Sequence, residues 1–321
     1  MYTDDAGAIR PNPLYRGALK FSGAPYQFTS RGPHDGVNDI KIPEWLELPR
    51  LVDDALNETD AVGFSYTLEN PHNAVHNWTG GNTGTMSDPR YAAYDPIFWF
   101  HHANVDRILF EWQAAHRDLS PPDEYMNHPL APFQVRVSDV WDISKIGYDY
   151  VAELRQQLNL GSRVKVSAFL AAPTGSQTPI ATFDLTKVED EFARAELRLE
   201  GVEHPTESFT IRVFINQPGA DVNTLTIGNP NFAGSFTFFG HHECLGEEGH
   251  CDPTLESRGK FDIRAPHHLT PMQMRLRVTP AIKAARSTGK VALITFVPVD
   301  AEGNAMADPV LKVEAISLIT R

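Results

Sequence analysis

The spacing of apolar residues changes once along this chain, near Gly161, and that change narrows the possible folds more than any other feature. Before it, apolar side chains recur at intervals of three and four: Trp45, Leu46, Leu48, Leu51, Val52 and Leu56, then Ile97, Val105, Ile108, Leu109 and Trp112. After it they alternate, as in Phe209, Ile211, Val213 and Ile215, or Met274, Leu276 and Val278, or Val291, Leu293 and Val297. The first spacing lines one face of a helix and the second one face of a strand. Helices are therefore followed by strands, which predicts an α+β multidomain chain with antiparallel β structure. At 321 residues it is long enough for two domains, placed at 1–160 and 161–321.

Residues 1–40 are rich in proline and glycine and read as extended chain. One or two short helices are predicted over 43–57, another over about 73–78, and one more over 150–158. The clearest helix begins at Asp95-Pro96, an N-cap followed by a proline in the first turn, and runs to about Arg117. Strands are predicted at 163–170, 208–215, 221–227, 232–239, 273–279, 290–297 and 310–318, in a sandwich or barrel.

The 41 acidic residues outnumber the 28 basic ones, giving a net charge of -13. That balance offers no basic face for phosphate and argues against nucleic acid as a partner. No apolar run approaches the ~18 residues of a membrane span, and residues 1–25 show charges in place of a signal peptide. The compartment stays open. Asn57-Glu-Thr and Asn77-Trp-Thr fit the glycosylation pattern, which arises often by chance. Cys244 and Cys251 are too few for a disulfide framework, although a local pairing is feasible.

Chemistry concentrates in the histidines. His72 and His76 lie four apart, a spacing that turns two imidazoles to one side of a helix, and His101 and His102 follow on the next helix. A lone pair at that spacing is common on surface helices. A third nitrogen from His101 or His102 would give a three-imidazole set suited to copper or zinc, and no glutamate of the zinc-hydrolase pattern adjoins it. A second cluster, His241, His242, Cys244, His250 and Cys251, reads first as a polar loop, with Gly246 and Gly249 as its turn residues, and otherwise as a soft-metal site.

The blocks Glu69-Asn-Pro-His-Asn-Ala-Val-His-Asn-Trp-Thr-Gly-Gly and Asp95-Pro-Ile-Phe-Trp-Phe-His-His-Ala-Asn-Val-Asp-Arg closely resemble the second copper-binding half of type 3 copper proteins: tyrosinases, catechol oxidases and molluscan-type hemocyanins. Gly147-Tyr-Asp-Tyr resembles the tyrosine motif that closes their copper domain, and Asn231-Phe-Ala-Gly-Ser-Phe resembles their carboxy-terminal β domain. The resemblance implies part of a helical-bundle copper domain followed by a shielding β domain. It implies His72, His76 and His102 as copper ligands, with His101 a hydrogen-bonded neighbour. Glu69 and Asn73 fall where family members hold a water that deprotonates phenols, a role a carboxylate near a metal can fill. Pro89 falls near the gating position, Phe98 is a candidate for an apolar wall, and Asp106 for orienting an imidazole, pairing with Arg107 or making a backbone contact.

The implied function is oxidation of phenols or o-diphenols to o-quinones, with dioxygen and phenolic small molecules as partners. Reversible oxygen carriage and a non-catalytic copper-binding remnant are the alternatives. Only His34 precedes His72, so a first copper motif is missing, and one copper per chain is expected. A chain so shortened is expected to expose apolar helix surface that favours self-association.

Overall fold

The computed structural model describes residues 2–3, 7–10, 12, 14–20, 27–32, 42–130, 133, 135–148, 150, 167–171, 180–188, 191–240, 271–306 and 313–320. A small ribbon of β1 (Tyr2–Thr3) and β2 (Ile9–Arg10) is followed by α1 (Leu48–Leu56), α2 (Ala61–Gly80), α3 (Pro96–Ala115), α4 (Asp123–Met126) and α5 (Val137–Val140). None of the described helices is long and apolar enough to cross a membrane. Residues 151–158 of the predicted helix at 150–158, the two cysteines, His34 and the cluster around His241 lie outside the described residues.

Both long helices start on an aspartate. The Asp60 carboxylate accepts from the Gly63 N–H at 2.7 Å, and that of Asp95 from the Ile97 N–H at 3.0 Å. Such caps satisfy amides that have no partner inside the helix. Asp95 is fully buried and also takes both arms of Arg31, which ties the early extended chain to the start of α3. Between the helices, Phe64, Leu68, Ile108 and Trp112 form a small core with Ala55.

The second half is an antiparallel sandwich. One sheet has the order β3-β10-β5-β8 and the other β4-β9-β6-β7. The strands are β3 (Ser167–Ala171), β4 (Ile180–Asp184), β5 (Ala195–Val202), β6 (Phe209–Ile215), β7 (Phe232–Phe238), β8 (Met272–Arg277), β9 (Val291–Val299) and β10 (Ala315–Thr320). Alternate residues of both sheets meet in one core: Phe183, Ile211, Phe236 and Phe296 from one, Leu197, Met274, Leu276 and Leu318 from the other. That is the period of two read from the sequence, with sheet packing on sheet. A helix, α6 (Thr279–Thr288), covers one end through Ile282 and Ala285.

The halves pack on each other. Leu51 of α1 belongs to the sandwich core, Asp54 pairs with Arg277, and buried Glu58 pairs with Arg194.

Several predicted elements change. The helix expected at 73–78 is twenty residues long and runs through Pro71, which removes one hydrogen-bond donor without stopping the helix. The strand expected at 221–227 is instead a series of turns, closed by the Asp221 and Asn229 side chains, with Leu225 and Ile227 left exposed. Strands β4 and β5 and helix α6 were not expected. In β5 the alternation of Leu197 and Leu199 is masked by Glu196 and Arg198, charged residues held inside by an ion-pair network with Arg194.

Candidate metal centre

Helix α2 carries His72 and His76, and α3 carries His101 and His102; the four rings come together where the helices face one another. Centroids of His72 and His76 are 4.7 Å apart, those of His72 and His101 5.1 Å, and those of His72 and His102 5.2 Å. Donor nitrogens of His72, His76 and His101 all lie within 4.8 Å of one another, the one such group among the described residues.

Three of the rings are kept neutral. Burial, and next the neighbouring His72, push His76 down to about 2 and His101 down to about 3, and burial also lowers His102. A neutral imidazole has one N–H and one lone pair, so its hydrogen bond decides which nitrogen can bind a metal. The Nδ1 of His76 donates to the Met86 carbonyl at 2.8 Å, that of His102 to the Phe98 carbonyl at 2.9 Å, and that of His72 to Oδ1 of Asn73 at 2.9 Å. Each arrangement leaves Nε2 with its lone pair. His101 is held the other way round, its Nε2 3.2 Å from the His72 carbonyl.

Two Nε2 atoms, those of His72 and His102, face each other at 3.2 Å. With both Nδ1 atoms engaged as donors, the two Nε2 atoms point at one another across a partly buried space, where one cation would bind both. Bonds of about 2.0–2.1 Å from one ion to two nitrogens are compatible with that separation. The residues therefore fit a soft or borderline metal held by imidazole, copper or zinc, far better than one that prefers oxygen ligands.

A cavity of about 340 Å³ opens beside the rings between α2 and α3. His72, His102, Glu69 and Asp106 lie on its wall with the apolar side chains of Phe64, Leu68, Val105 and Leu109. Glu69 is half exposed there, its Oε1 3.9 Å from Nδ1 of His72. Asn73 does not line the cavity: it is buried behind His72, and its Nδ2 donates to the Thr237 carbonyl of β7 at 3.2 Å. Pro89 does not line it either. Phe98 lies against His102, with centroids 3.9 Å apart, and the apolar wall is built by the other residues named.

Asp106 departs from the roles expected of it. Its carboxylate accepts from the hydroxyls of Tyr148 at 2.8 Å and Tyr150 at 2.7 Å, while Arg107 pairs with Glu111. Desolvation and Asp106 push both tyrosines up to about 12, so the hydroxyls stay protonated and tie the following chain to α3.

Two contributions had no place in the sequence reading. Phe239, just beyond β7, stacks on His76 with centroids 4.5 Å apart, and nothing in its local sequence marks it. The cavity wall had a signal, because Phe64, Leu68 and His72 repeat every fourth residue and so share a stripe of α2.

Residues 8–115 match the family model described as the common central domain of tyrosinase. Hemocyanin, β-C chain unit G, of Helix pomatia is 31% identical over 229 residues, which cover 60% of this chain and 55% of that one. Polyphenol oxidase C, chloroplastic, of Solanum lycopersicum is 29% identical over 226 residues, 57% of this chain and 36% of the relative. Among solved structures, a functional unit from Octopus hemocyanin superposes with a TM-score of 0.56 at 19% identity, over 91% of this chain and 67% of that one. At that identity the superposition speaks for the fold. The chain thus spans about half the length of the Helix unit and about a third of the tomato protein.

Proposed function

Because the chain belongs to the type 3 copper proteins, the family of tyrosinases, polyphenol oxidases and hemocyanins, we propose that it binds one copper ion through Nε2 of His72, His76 and His102 and serves the oxidation of phenols or o-diphenols to o-quinones with dioxygen. The observation that carries this reading is the shared pattern in which all three rings give Nδ1–H to a carbonyl oxygen, two on the main chain and one on Asn73, and keep Nε2 for a metal.

Copper, when bound, supplies oxygen binding and one-electron chemistry. The protein supplies the rest. The cavity beside His72 and His102 receives an aromatic ring against Phe64, Leu68, Val105 and Leu109 and keeps water from it. Glu69, at the same wall, polarises a water that takes the phenol proton. Asn73 acts through His72, holding its Nδ1–H so that Nε2 stays available.

Reversible oxygen carriage is the second reading, and one observation favours it. Phe239 lies flat on His76 and restricts approach to that side of the site. The test is copper loading followed by catechol oxidation on the same preparation. About one copper per chain with quinone formation supports the oxidase; copper with oxygen bound and no turnover supports the carrier. Failure to bind copper, or full copper retention in His76→Ala, overturns both.

A further inference from the structure

Strand β7 lies at the edge of its sheet, pairing with β6 on one side only. Its other side is closed by a helix. On α2, Asn70, Asn73 and Asn77 fall at intervals of three and four, so they form one stripe, and all three are buried. Asn70 donates from Nδ2 to the Ser235 carbonyl at 2.8 Å and accepts through Oδ1 from the Thr237 N–H at 2.8 Å, the two bonds a neighbouring strand would make. Asn73 donates to the Thr237 carbonyl at 3.2 Å, and Asn77 caps the end of the β6–β7 pair, its Nδ2 donating to the Phe238 carbonyl at 2.8 Å and lying 3.4 Å from the Phe209 carbonyl of β6. Edge groups left unpaired and buried would be costly, and Asn70 and Asn73 satisfy them.

Asn73 joins this stripe to the imidazoles. The side chain that donates to β7 accepts from Nδ1 of His72. A shift of α2 along β7 would move that acceptor away from the ring and release its orientation. We propose that the asparagine stripe makes β7 part of the metal centre, with Asn70, Asn73 and Asn77 as positioning residues that transmit the register of the sheet edge to His72. The β half is then a scaffold for metal binding, and more than a cover over it. This rests on His72 being a ligand, as proposed above.

The test separates the two ideas. Copper affinity is measured by competition with a chelator on the full chain, with melting temperature and circular dichroism recorded for each variant. Asn70→Ala, which touches no histidine, is expected to weaken copper about tenfold or more, in the range found when groups supporting a metal ligand are removed. Ile294→Val, in the sandwich core away from α2, serves as the control. It is expected to lower the melting temperature and leave copper affinity unchanged. Should Asn70→Ala fail to fold, Asn70→Asp, which keeps the acceptor for Thr237, is read in its place with the same expectation. Wild-type affinity in a folded Asn70 variant overturns the inference while the copper site stands. An equal loss in Ile294→Val also overturns it, because general loosening then explains the effect. If the wild-type chain binds no copper, or His76→Ala binds it normally, the site itself has been misassigned.

Discussion

Helices α2 and α3 are built alike and treated differently. Each has twenty residues, an aspartate N-cap and two histidines. Yet α2 buries residues on nearly every side, while α3 buries only Ile108 and Trp112 and leaves Trp99 63% and Phe100 59% exposed. The histidines of α2 depend on contacts outside their helix: His76 on the Met86 carbonyl ten residues on, and His72 on Asn73, which is itself tied to β7. His102 of α3 is oriented by its own helix, one turn back at Phe98. One metal centre thus combines a ligand pair fixed by tertiary packing with a ligand fixed by local geometry.

Four measurements test that contrast. The largest effect is expected at the third ligand: His102→Ala should weaken copper about 100-fold, the upper end of losses seen on disturbing a metal's support, while His101→Ala should keep full stoichiometry. The reverse result would assign the third nitrogen to His101 and remove the role of the Phe98 carbonyl. Next is Trp112→Ala, which removes the fully buried side chain that stacks on Phe64 at 5.0 Å and donates to the Glu58 carbonyl. Unfolding in denaturant should show a loss of about 3–5 kcal/mol, since this contact locks α3 to α2; a loss below about 1 kcal/mol would mean that α3 is held elsewhere.

The caps come third. Asp60→Ala should cost about 1 kcal/mol. Asp95→Ala should cost about 2–3 kcal/mol, because Arg31 also loses its charged partner. Equal losses would make Arg31 irrelevant to the start of α3. The smallest effect on stability belongs to Trp99→Ser with Phe100→Ser, within about 0.5 kcal/mol for exposed positions. Sedimentation should show less self-association in this double variant; unchanged association would mean that the exposed face of α3 does not mediate it.

The extent to which these features could be read from sequence follows the range of the interactions. The start of α3 was legible because Asp95 and Pro96 act on the adjacent turn, and β6, β7, β8 and β9 because alternation is local. The first half of α2 was not. Gly63 and Pro71 weaken a helix locally, and what holds this one is packing by Phe64 and Leu68 and amide bonds to β7. Likewise β5 hid behind the charged residues Glu196 and Arg198, which are paired through Arg194 to a distant residue, Glu58. In the site, the four histidines were visible by spacing. Their hydrogen-bond partners are mostly main-chain carbonyls, which every residue has and no composition reveals.

The bonds from α2 to β7 join residues 161 to 167 positions apart. During translation the helix therefore leaves the ribosome well before the strand that fixes it. At about 5–20 residues per second, that interval is on the order of 10–30 s. A nascent chain would pass this time with His72 unset, so completion of the metal centre becomes an event of the finished polypeptide, open to whatever chaperone or chelator meets it first.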